Sequence, residues 1–319
     1  MGEEYRYLIT NFHIVYSEKE ASYAERTHIY LYGSESWPEL DKESTKIQKP
    51  YKYDSYAIEC SIAGSSVTHD IAVLVAKTAD IMKINPNATA AEFADDYTVG
   101  ESAVAIGNPN GDGLSVTGGI VSVKSEYIEL DLDGTTRLYR SMRIDTPLYH
   151  GNSGGAVFNK HGKLIGIANA GDVGDQNVNY AIPLEIAKAA ADNIIHYYED
   201  GDEITKDAYK ITIGVVVEAE NTRFVYDENL GYGKILDDIM INEVVAGGKA
   251  ESLGFAVGDR LVSVTLDGVT YVPDRYYSIH EIILMIRVGS KLSFTLMRAG
   301  ETINTDVYTV KSDDLVVCE

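Results

Sequence analysis

Ser153 lies in the run Gly151-Asn152-Ser153-Gly154-Gly155, which has the composition of a turn that presents a nucleophile. Acyl transfer needs a positioned hydroxyl, a base that takes its proton and donors aimed at the developing oxyanion. Glycines let the backbone adopt turns that a Cβ disfavours, so the hydroxyl and nearby N–H groups can converge on one carbonyl. The run also fits a plain tight turn, and alone it leaves both interpretations open.

Two further segments offer the base and the acid that such a serine needs. His13 ends the hydrophobic stretch 7–15, and Asp70 begins the β-branched run 70–75. Their order along the chain, His13 then Asp70 then Ser153, is that of chymotrypsin and differs from the orders in subtilisin and the α/β-hydrolases. Taken singly, His13 could be a surface residue at a strand end and Asp70 a turn residue before a core strand.

The segments around these residues resemble the HtrA (high-temperature-requirement A) family of trypsin-like serine proteases over almost the whole chain. His13 lies in a version of the family's LTNxHV motif, and Asp70 lies in its DIAVL motif. The family's other motifs follow in its usual order, at residues 105–109, 116–122, 145–153, 162–167 and 179–183.

The resemblance implies a role for each of these residues. Ser153 would attack the scissile carbonyl, His13 would take and return the proton, and Asp70 would fix the imidazole tautomer. Gly151, Asn152 and Ser153 would form the oxyanion hole, with the N–H groups of Gly151 and Ser153 as its donors. We expect no metal, because the other histidines lack metal-ligand spacing, and no cofactor.

The primary specificity pocket can be inferred from the same resemblance. In trypsin-like enzymes the residue six before the nucleophile lies at the base of this pocket, and here that residue is Pro147. No acid is present there, so cleavage after Lys or Arg is not expected. A small to medium apolar pocket, suited to Val, Ala, Ile or Leu, is expected from Pro147, Leu148, Ala168, Asn169, Ala170 and Tyr180.

Composition excludes several classes of function. The 319 residues carry a formal net charge of −22, which argues against nucleic-acid binding and could steer cationic partners. No apolar run reaches the roughly eighteen residues of a membrane span. The two cysteines, Cys60 and Cys318, lie far apart and indicate no disulfide framework.

A second domain is expected after the acidic run 199–203. Residues 212–215 and 247–261 resemble a PDZ domain in the HtrA arrangement. Such a domain adds an extended peptide to a sheet edge and captures its carboxylate with backbone N–H groups. The carboxylate-binding loop would consist of Thr212, Ile213, Gly214 and Val215. A covering domain with a degenerate groove is the alternative, because the charged, tyrosine-rich segment 218–236 interrupts the pattern.

The resemblance predicts a mostly β fold class, with a trypsin-like double β-barrel of two six-stranded barrels and an α+β PDZ domain. The expected boundaries are 1–198 for the protease domain, 199–208 for an acidic linker, 209–312 for the PDZ domain and 313–319 for a C-terminal tail. Family members carry a GSGxxI strand before the histidine strand that is missing here, so the first barrel is expected to be N-terminally truncated. The stretch 33–52, with Trp37, is expected to be an inserted loop.

The expected function is that of a serine endopeptidase of protein quality control. Its partners would be unfolded or misfolded polypeptides and peptide C-termini, and the family also implies a homotrimer and a periplasmic, secreted or tethered location. No signal peptide is visible at Met1 to Glu4. Two alternatives stay open: a catalytically impaired scaffold or holdase that works by PDZ peptide binding, and a narrow-specificity processing protease.

Overall fold

The structure is a computed structural model in which the chain divides into two compact units. One unit runs to Asp207, and the other runs from Ala208 to Cys318. The described residues are 4–34, 36, 39–43, 51–132, 135–172, 175–199, 207–228 and 231–318. Trp37 and most of the expected acidic linker, residues 200–206, lie outside them.

The first unit consists mainly of strands. These are β1 (Tyr5–Thr10), β2 (Tyr16–Ser17), β3 (Ser22–Tyr23), β4 (Thr27–Ile29), β5 (Glu39–Leu40), β6 (Tyr51–Lys52), β7 (Ile58–Ser66), β8 (Ile71–Lys77), β9 (Ser102–Gly107), β10 (Ser115–Leu132), β11 (Thr135–Ile144), β12 (Ala156–Phe158), β13 (Leu164–Asp172) and β14 (Asp175–Pro183). Its helices are α1 (Phe12–Val15), α2 (Thr78–Ile84) and α3 (Leu184–Glu199).

The first half of this unit contains an open sheet rather than a closed barrel. Within the described residues the sheet has four strands in the order β1-β8-β7-β4. β8, a run of Ile, Ala, Val and Leu, is buried from Ile71 to Ala76. It pairs with β7 on one side and with β1 on the other, where Ile9 is the partner of Val73. Among the described residues β1 pairs only with β8, at one edge of this sheet. A six-stranded barrel was expected here; the described residues form this open four-stranded sheet, and the other short strands of this half pair as β2-β3 and β5-β6.

The second half of the unit is a closed barrel. Its six strands follow the order β10-β11-β14-β13-β12-β9. Met142, Ile144 and Ile165 are fully buried in its core. α3 follows β14 directly, and its first turn is held by Arg140 of β11, whose Nη2 donates to Glu185 Oε1 at 3.0 Å. The closed barrel therefore gives β13 and the Ser153 loop a rigid support.

The second unit is an α+β domain. Its strands are β15 (Tyr209–Ile211), β16 (Val215–Asp227), β17 (Tyr232–Val244), β18 (Arg260–Leu266), β19 (Val269–Tyr271), β20 (Lys291–Arg298), β21 (Glu301–Asn304), β22 (Tyr308–Thr309) and β23 (Leu315–Val317), and its helices are α4 (Lys249–Ser252) and α5 (Ile279–Met285). The main sheet follows the order β16-β17-β18-β20-β21, so that β16 is an edge strand. β23 lies in the segment assigned to a tail, and it pairs with β15.

The helices of the described part of the chain are short or amphipathic. None of them combines the length and apolar character that a membrane-spanning helix needs.

Candidate active site

His13 and Asp70 are joined by two hydrogen-bond contacts. β1 ends at Thr10 and leads into α1, which carries His13, while the turn between β7 and β8 carries Asp70. Asp70 Oδ2 lies 2.8 Å from His13 Nδ1, and the main-chain N–H of His13 donates to Asp70 Oδ1 at 3.0 Å. The carboxylate is fully buried and the imidazole is 19% exposed. With Nδ1 engaged, the imidazole has Nε2 left to accept a proton.

Asp70 has an unusual backbone conformation. Its φ is +51°, in the left-handed region that residues with a Cβ rarely occupy. Its carbonyl accepts hydrogen bonds from the Phe12 N–H at 3.2 Å and from Asn11 Nδ2 at 3.0 Å. Strained conformations of this kind persist where surrounding contacts fix them and are concentrated at functional sites. The segment that carries His13 thus contacts both the main-chain carbonyl and the side-chain carboxylate of Asp70.

Ser153 lines the same cleft as His13. Its hydroxyl donates to the carbonyl of Asn169 at 3.0 Å. Among the hydrogen bonds of the described residues there is none between Ser153 Oγ and the His13 imidazole. Catalytic hydrogen bonds are often long or misaligned without substrate, and rotation about χ1 of a serine redirects its hydroxyl. The structure thus brings His13 and Ser153 to one cleft, with Asp70 buried against His13, and directs the serine hydroxyl to Asn169.

The loop before Ser153 is a type II turn. The Asn152 N–H donates to the Tyr149 carbonyl at 3.0 Å, and Gly151, at the third position, has φ of +96° as this turn requires. A Cβ at residue 151 would also lie 2.3 Å from the Asn108 carbonyl oxygen. The N–H groups of Gly151 and Ser153 donate to no acceptor within the described residues. Two donors that flank the nucleophile are therefore available to an oxyanion.

The segment after β9 supports this turn from behind. The Asn110 N–H donates to the His150 carbonyl at 2.7 Å, and the Asn108 N–H donates to the Gly151 carbonyl at 3.3 Å. On the other side, a Cβ at Gly154 would lie 2.2 Å from Thr10 Oγ1, at the end of β1. The loop is therefore packed between the β9 end and the histidine strand, which explains why residues 105–109 belong to the motif set.

The cleft has a volume of about 960 Å³ and contains only part of the expected specificity pocket. Pro147, Leu148, Asn169 and Ala170 line it. The structure places Ala168 in the core of the second barrel, and Tyr180, the partner of Ala170 in β14, is not part of the cleft lining.

Two residues that sequence reasoning missed complete the pocket wall. Gly171 and Asn179 line the cleft, and Asn179 is 1% exposed. Its Oδ1 would lie 2.6 Å from a Cβ at residue 171, so the amide occupies the space above Gly171. The available signal for Asn179 was its place in the motif at residues 179–183. Asn169 lies at a register irregularity between Ala168 and Ala170, and such bulges redirect side chains next to active sites.

The loop 212–215 of the second unit precedes the edge strand β16. Gly214 has φ of +80°, and its carbonyl accepts from the Val245 N–H at 2.8 Å. The Ile213 carbonyl accepts from the Ala250 N–H at 2.7 Å, and the Thr212 N–H donates to Asp314 O at 3.4 Å. The N–H groups of Ile213 and Gly214 donate to no acceptor within the described residues, which leaves them available to an anion. Val215 then begins β16.

No group of three or more His, Cys, Asp or Glu side chains is arranged to hold a metal ion in the parts of the chain that the structure describes.

Comparison with known proteins gives a consistent set of relatives. A family model described as a trypsin-like peptidase domain matches residues 1–167. A probable periplasmic serine endoprotease DegP-like of Rhizobium meliloti is 31% identical over 270 residues, which are 82% of this chain and 48% of that protein. The serine protease Do-like HtrB of Bacillus subtilis is 27% identical over 307 residues, or 93% of this chain and 57% of HtrB.

Solved structures show the same relationship. The HtrA-type protease AlgW with tripeptide has a TM-score of 0.59 and 25% identity, and the match covers 96% of this chain and 86% of AlgW. The chain spans about half the length of the curated relatives it matches.

Proposed function

The chain belongs to the trypsin-like peptidase family, among its HtrA-type serine proteases, and from this we propose that its first unit is the catalytic domain of a serine endopeptidase. The predicted fold class, a trypsin-like β structure followed by an α+β PDZ-type domain, is confirmed. The observation that carries the proposal is that His13, paired with the buried Asp70, shares one cleft with Ser153, whose loop has two N–H groups without an acceptor among the described residues.

In the proposed mechanism a substrate carbonyl lies between Ser153 Oγ and the N–H groups of Gly151 and Ser153. His13 Nε2 takes the Ser153 proton as Oγ attacks, and Asp70 stabilises the resulting imidazolium. The two N–H groups bind the oxyanion, and His13 returns its proton to the leaving amine. Water then repeats the sequence and releases the acyl group. The Ser153 hydroxyl must first leave the Asn169 carbonyl, which a substrate N–H bound at that carbonyl would favour.

We propose that substrates are unfolded or misfolded polypeptides cleaved after small or medium apolar side chains. Pro147, Leu148 and Ala170 line the cleft and support this size and polarity. The buried Asn179 fills space beside Gly171, which argues against a large side chain in this pocket.

The second unit is proposed to bind peptide C-termini. A carboxylate would accept the N–H groups of Ile213 and Gly214, and the peptide would extend the sheet along the edge strand β16. Ile213, Val215 and Ile283 are partly buried beside the core of this unit and would contact an apolar final residue. An extracytoplasmic location and a homotrimer are further proposals, the first supported by relatives named as periplasmic.

The decisive test compares the wild type with Ser153→Ala and with Ser252→Ala, which changes an exposed serine of the second unit. We expect wild type and Ser252→Ala to cleave β-casein and to react with a fluorophosphonate probe, and Ser153→Ala to do neither. Because Ser153 bonds to Asn169 and not to His13, an impaired scaffold is the second candidate. Peptide binding by all three proteins without cleavage or labelling by any would favour it.

A further inference from the structure

The cleft that holds Ser153 is lined by acidic rather than basic side chains. Its lining includes three carboxylates, Glu20, Glu25 and Asp131, and neither Lys nor Arg among the described residues. Glu20 and Glu25 are exposed, and neither takes part in an ion pair in the described part of the chain. A cleft lined by one sign of charge concentrates ligands of the opposite sign and speeds their association.

The cleft lining also includes a buried amide without a hydrogen-bond partner among the described residues. Asn169 is 3% exposed, and neither Nδ2 nor Oδ1 of its side chain bonds to any residue that the structure describes. Leaving a buried amide unpaired is unfavourable, so such a group in a native structure calls for a bound ligand or water. This observation is independent of the carboxylates, and a polar ligand or a water molecule would satisfy the amide.

The carboxylates lie beside an apolar and aromatic wall. Ile14, Tyr16 and Tyr23 line the cleft with them, and the rings of Tyr16 and Tyr23 pack edge to face with centroids 5.0 Å apart. Lys and Arg side chains suit such a surface because their aliphatic stems pack on apolar groups while the cation reaches carboxylates and aromatic faces.

These groups belong to elements other than those of the primary pocket. Glu20 and Glu25 lie in the segment that follows His13, whereas the pocket for the cleaved residue is lined by Pro147, Leu148 and Ala170. The acidic groups therefore face a position of the substrate other than the residue after which it is cut.

We propose that the catalytic cleft selects polypeptide segments that carry Lys or Arg near the scissile bond but not at the cleaved residue, and that Glu20 and Glu25 determine this preference. The inference rests on the proposed endopeptidase function and names its substrate class. The overall charge of −22 acts in the same direction at low salt.

The test uses quenched fluorescent peptides with Val as the cleaved residue and Lys, Gln or Glu at matched flanking positions on both sides. At about 0.02 M salt we expect kcat/KM for Lys peptides to exceed that for Glu peptides by about threefold to tenfold, as exposed charge pairs allow. The preference should collapse at about 0.5 M salt, where charges are screened.

Two double variants separate the cleft from the rest of the surface. Glu20→Gln with Glu25→Gln should remove most of the preference, with Asp131 and the net charge leaving a small remainder, whereas Glu39→Gln with Glu59→Gln, two exposed glutamates outside the cleft lining, should retain it. Equal rates for Lys, Gln and Glu peptides in the wild type would overturn the inference, as would a Lys preference that is as large in the first double variant as in the second.

A binding measurement keeps this inference distinct from the proposed activity. Anisotropy of the same peptides on Ser153→Ala reports preference without cleavage. If no peptide is cut by the wild type but Lys peptides bind more tightly, and do so only with Glu20 and Glu25 intact, the endopeptidase function fails and the cleft preference stands. Cleavage of the Lys, Gln and Glu peptides at equal rates would support the endopeptidase function and overturn the cleft preference.

Discussion

Asp70 contacts His13 twice, once at the imidazole Nδ1 and once at the main-chain N–H. The two contacts use different oxygens of one buried carboxylate, so ring orientation and backbone position are fixed together. A group that only neutralised charge would not need the second contact. The arrangement is that of a residue that orients a general base.

Asp70→Asn should therefore inactivate the enzyme while leaving it folded. Asn has one acceptor, and if that oxygen keeps the bond from the His13 N–H, its NH₂ group faces His13 Nδ1. The imidazole must then carry its proton on Nε2, which is the tautomer that cannot take the Ser153 proton. We expect kcat for a peptide substrate to fall by about four orders of magnitude. Circular dichroism should show an unchanged fold.

Asp306→Asn is the matched control, since Asp306 is an exposed residue of the second unit. Its kcat should equal that of the wild type. Asp70→Asn activity within tenfold of the wild type would contradict the role assigned to the Asp70–His13 pair.

Much of this site could be predicted from the sequence, because its parts lie in short motifs. His13, Asp70 and Ser153 each lie in a local pattern that indicates a strand end or a turn, and the structure brings His13 and Ser153 to one cleft with Asp70 buried against His13. Glycine spacing is a local property, so the Gly151 turn follows from it, whereas the double barrel was expected from the resemblance of the motifs to the HtrA family.

The remainder depends on contacts between distant segments. The sequence does not show that the Ser153 hydroxyl bonds to the Asn169 carbonyl, because that depends on the path of β13 around a bulge. The same bulge decides that Asn169 and Gly171 line the cleft and that Ala168 enters the barrel core. Whether the first sheet closes depends on which of its strands pair, and the sequence does not show this pairing.

Gly151→Ala should reduce catalysis because both the turn and the packing require glycine. The residue has φ of +96°, and a Cβ would lie 2.3 Å from the Asn108 carbonyl oxygen, so the loop must move. Displacement of one oxyanion donor typically costs about two to three orders of magnitude in kcat. Steady-state kinetics and the rate of fluorophosphonate labelling measure this loss.

Gly162→Ala provides the comparison, because Gly162 also has positive φ, +71°, but a Cβ there would meet nothing within 4 Å. It should cost about 1–2 kcal/mol of stability from backbone strain and leave kcat unchanged. An equal loss of kcat in both variants would show that strain alone, and not the oxyanion turn, explains the effect.

Glu185→Ala should destabilise the first unit strongly. Glu185 accepts from Arg140 Nη2 at 3.0 Å, and the Arg140 side chain is only 5% exposed, so the variant removes a carboxylate partner from a buried cation that keeps its Nε bond to Ser125 Oγ. Breaking such a pair typically costs about 3–5 kcal/mol. The melting temperature of this unit should fall, and α3 should exchange its amide hydrogens faster.

The exposed pair Lys188–Asp192 on the same helix is the control. Both side chains are about half exposed, and Asp192→Ala should change stability by only about 0.5 kcal/mol. Comparable losses of stability in Glu185→Ala and Asp192→Ala would show that the burial of Arg140 does not increase the contribution of the Arg140–Glu185 pair.

Asp259 should make the second unit sensitive to acid. Its oxygens accept from Arg298 Nε at 2.6 Å and Nη2 at 2.8 Å, and the Arg298 guanidinium holds the pKa of this buried carboxyl below its ordinary value. A carboxyl whose pKa is lower in the folded than in the unfolded state stabilises the fold above its unfolded pKa, about 3.9. That contribution is lost as the pH falls through the lower, folded value.

Asp259→Asn should therefore lower the free energy of unfolding by about 1–2 kcal/mol at pH 7, a modest figure because Arg298 is 41% exposed and can be hydrated. Below the folded pKa the wild-type carboxyl is also neutral, so the gap between the two proteins should close. Urea unfolding of the full chain at pH 7 and at successively lower pH, followed by hydrogen exchange in β18 and β20, measures both quantities. A gap that stays constant down to pH 2 would show that the ion pair with Arg298 does not stabilise this unit, since only a titrating carboxylate makes the difference depend on pH.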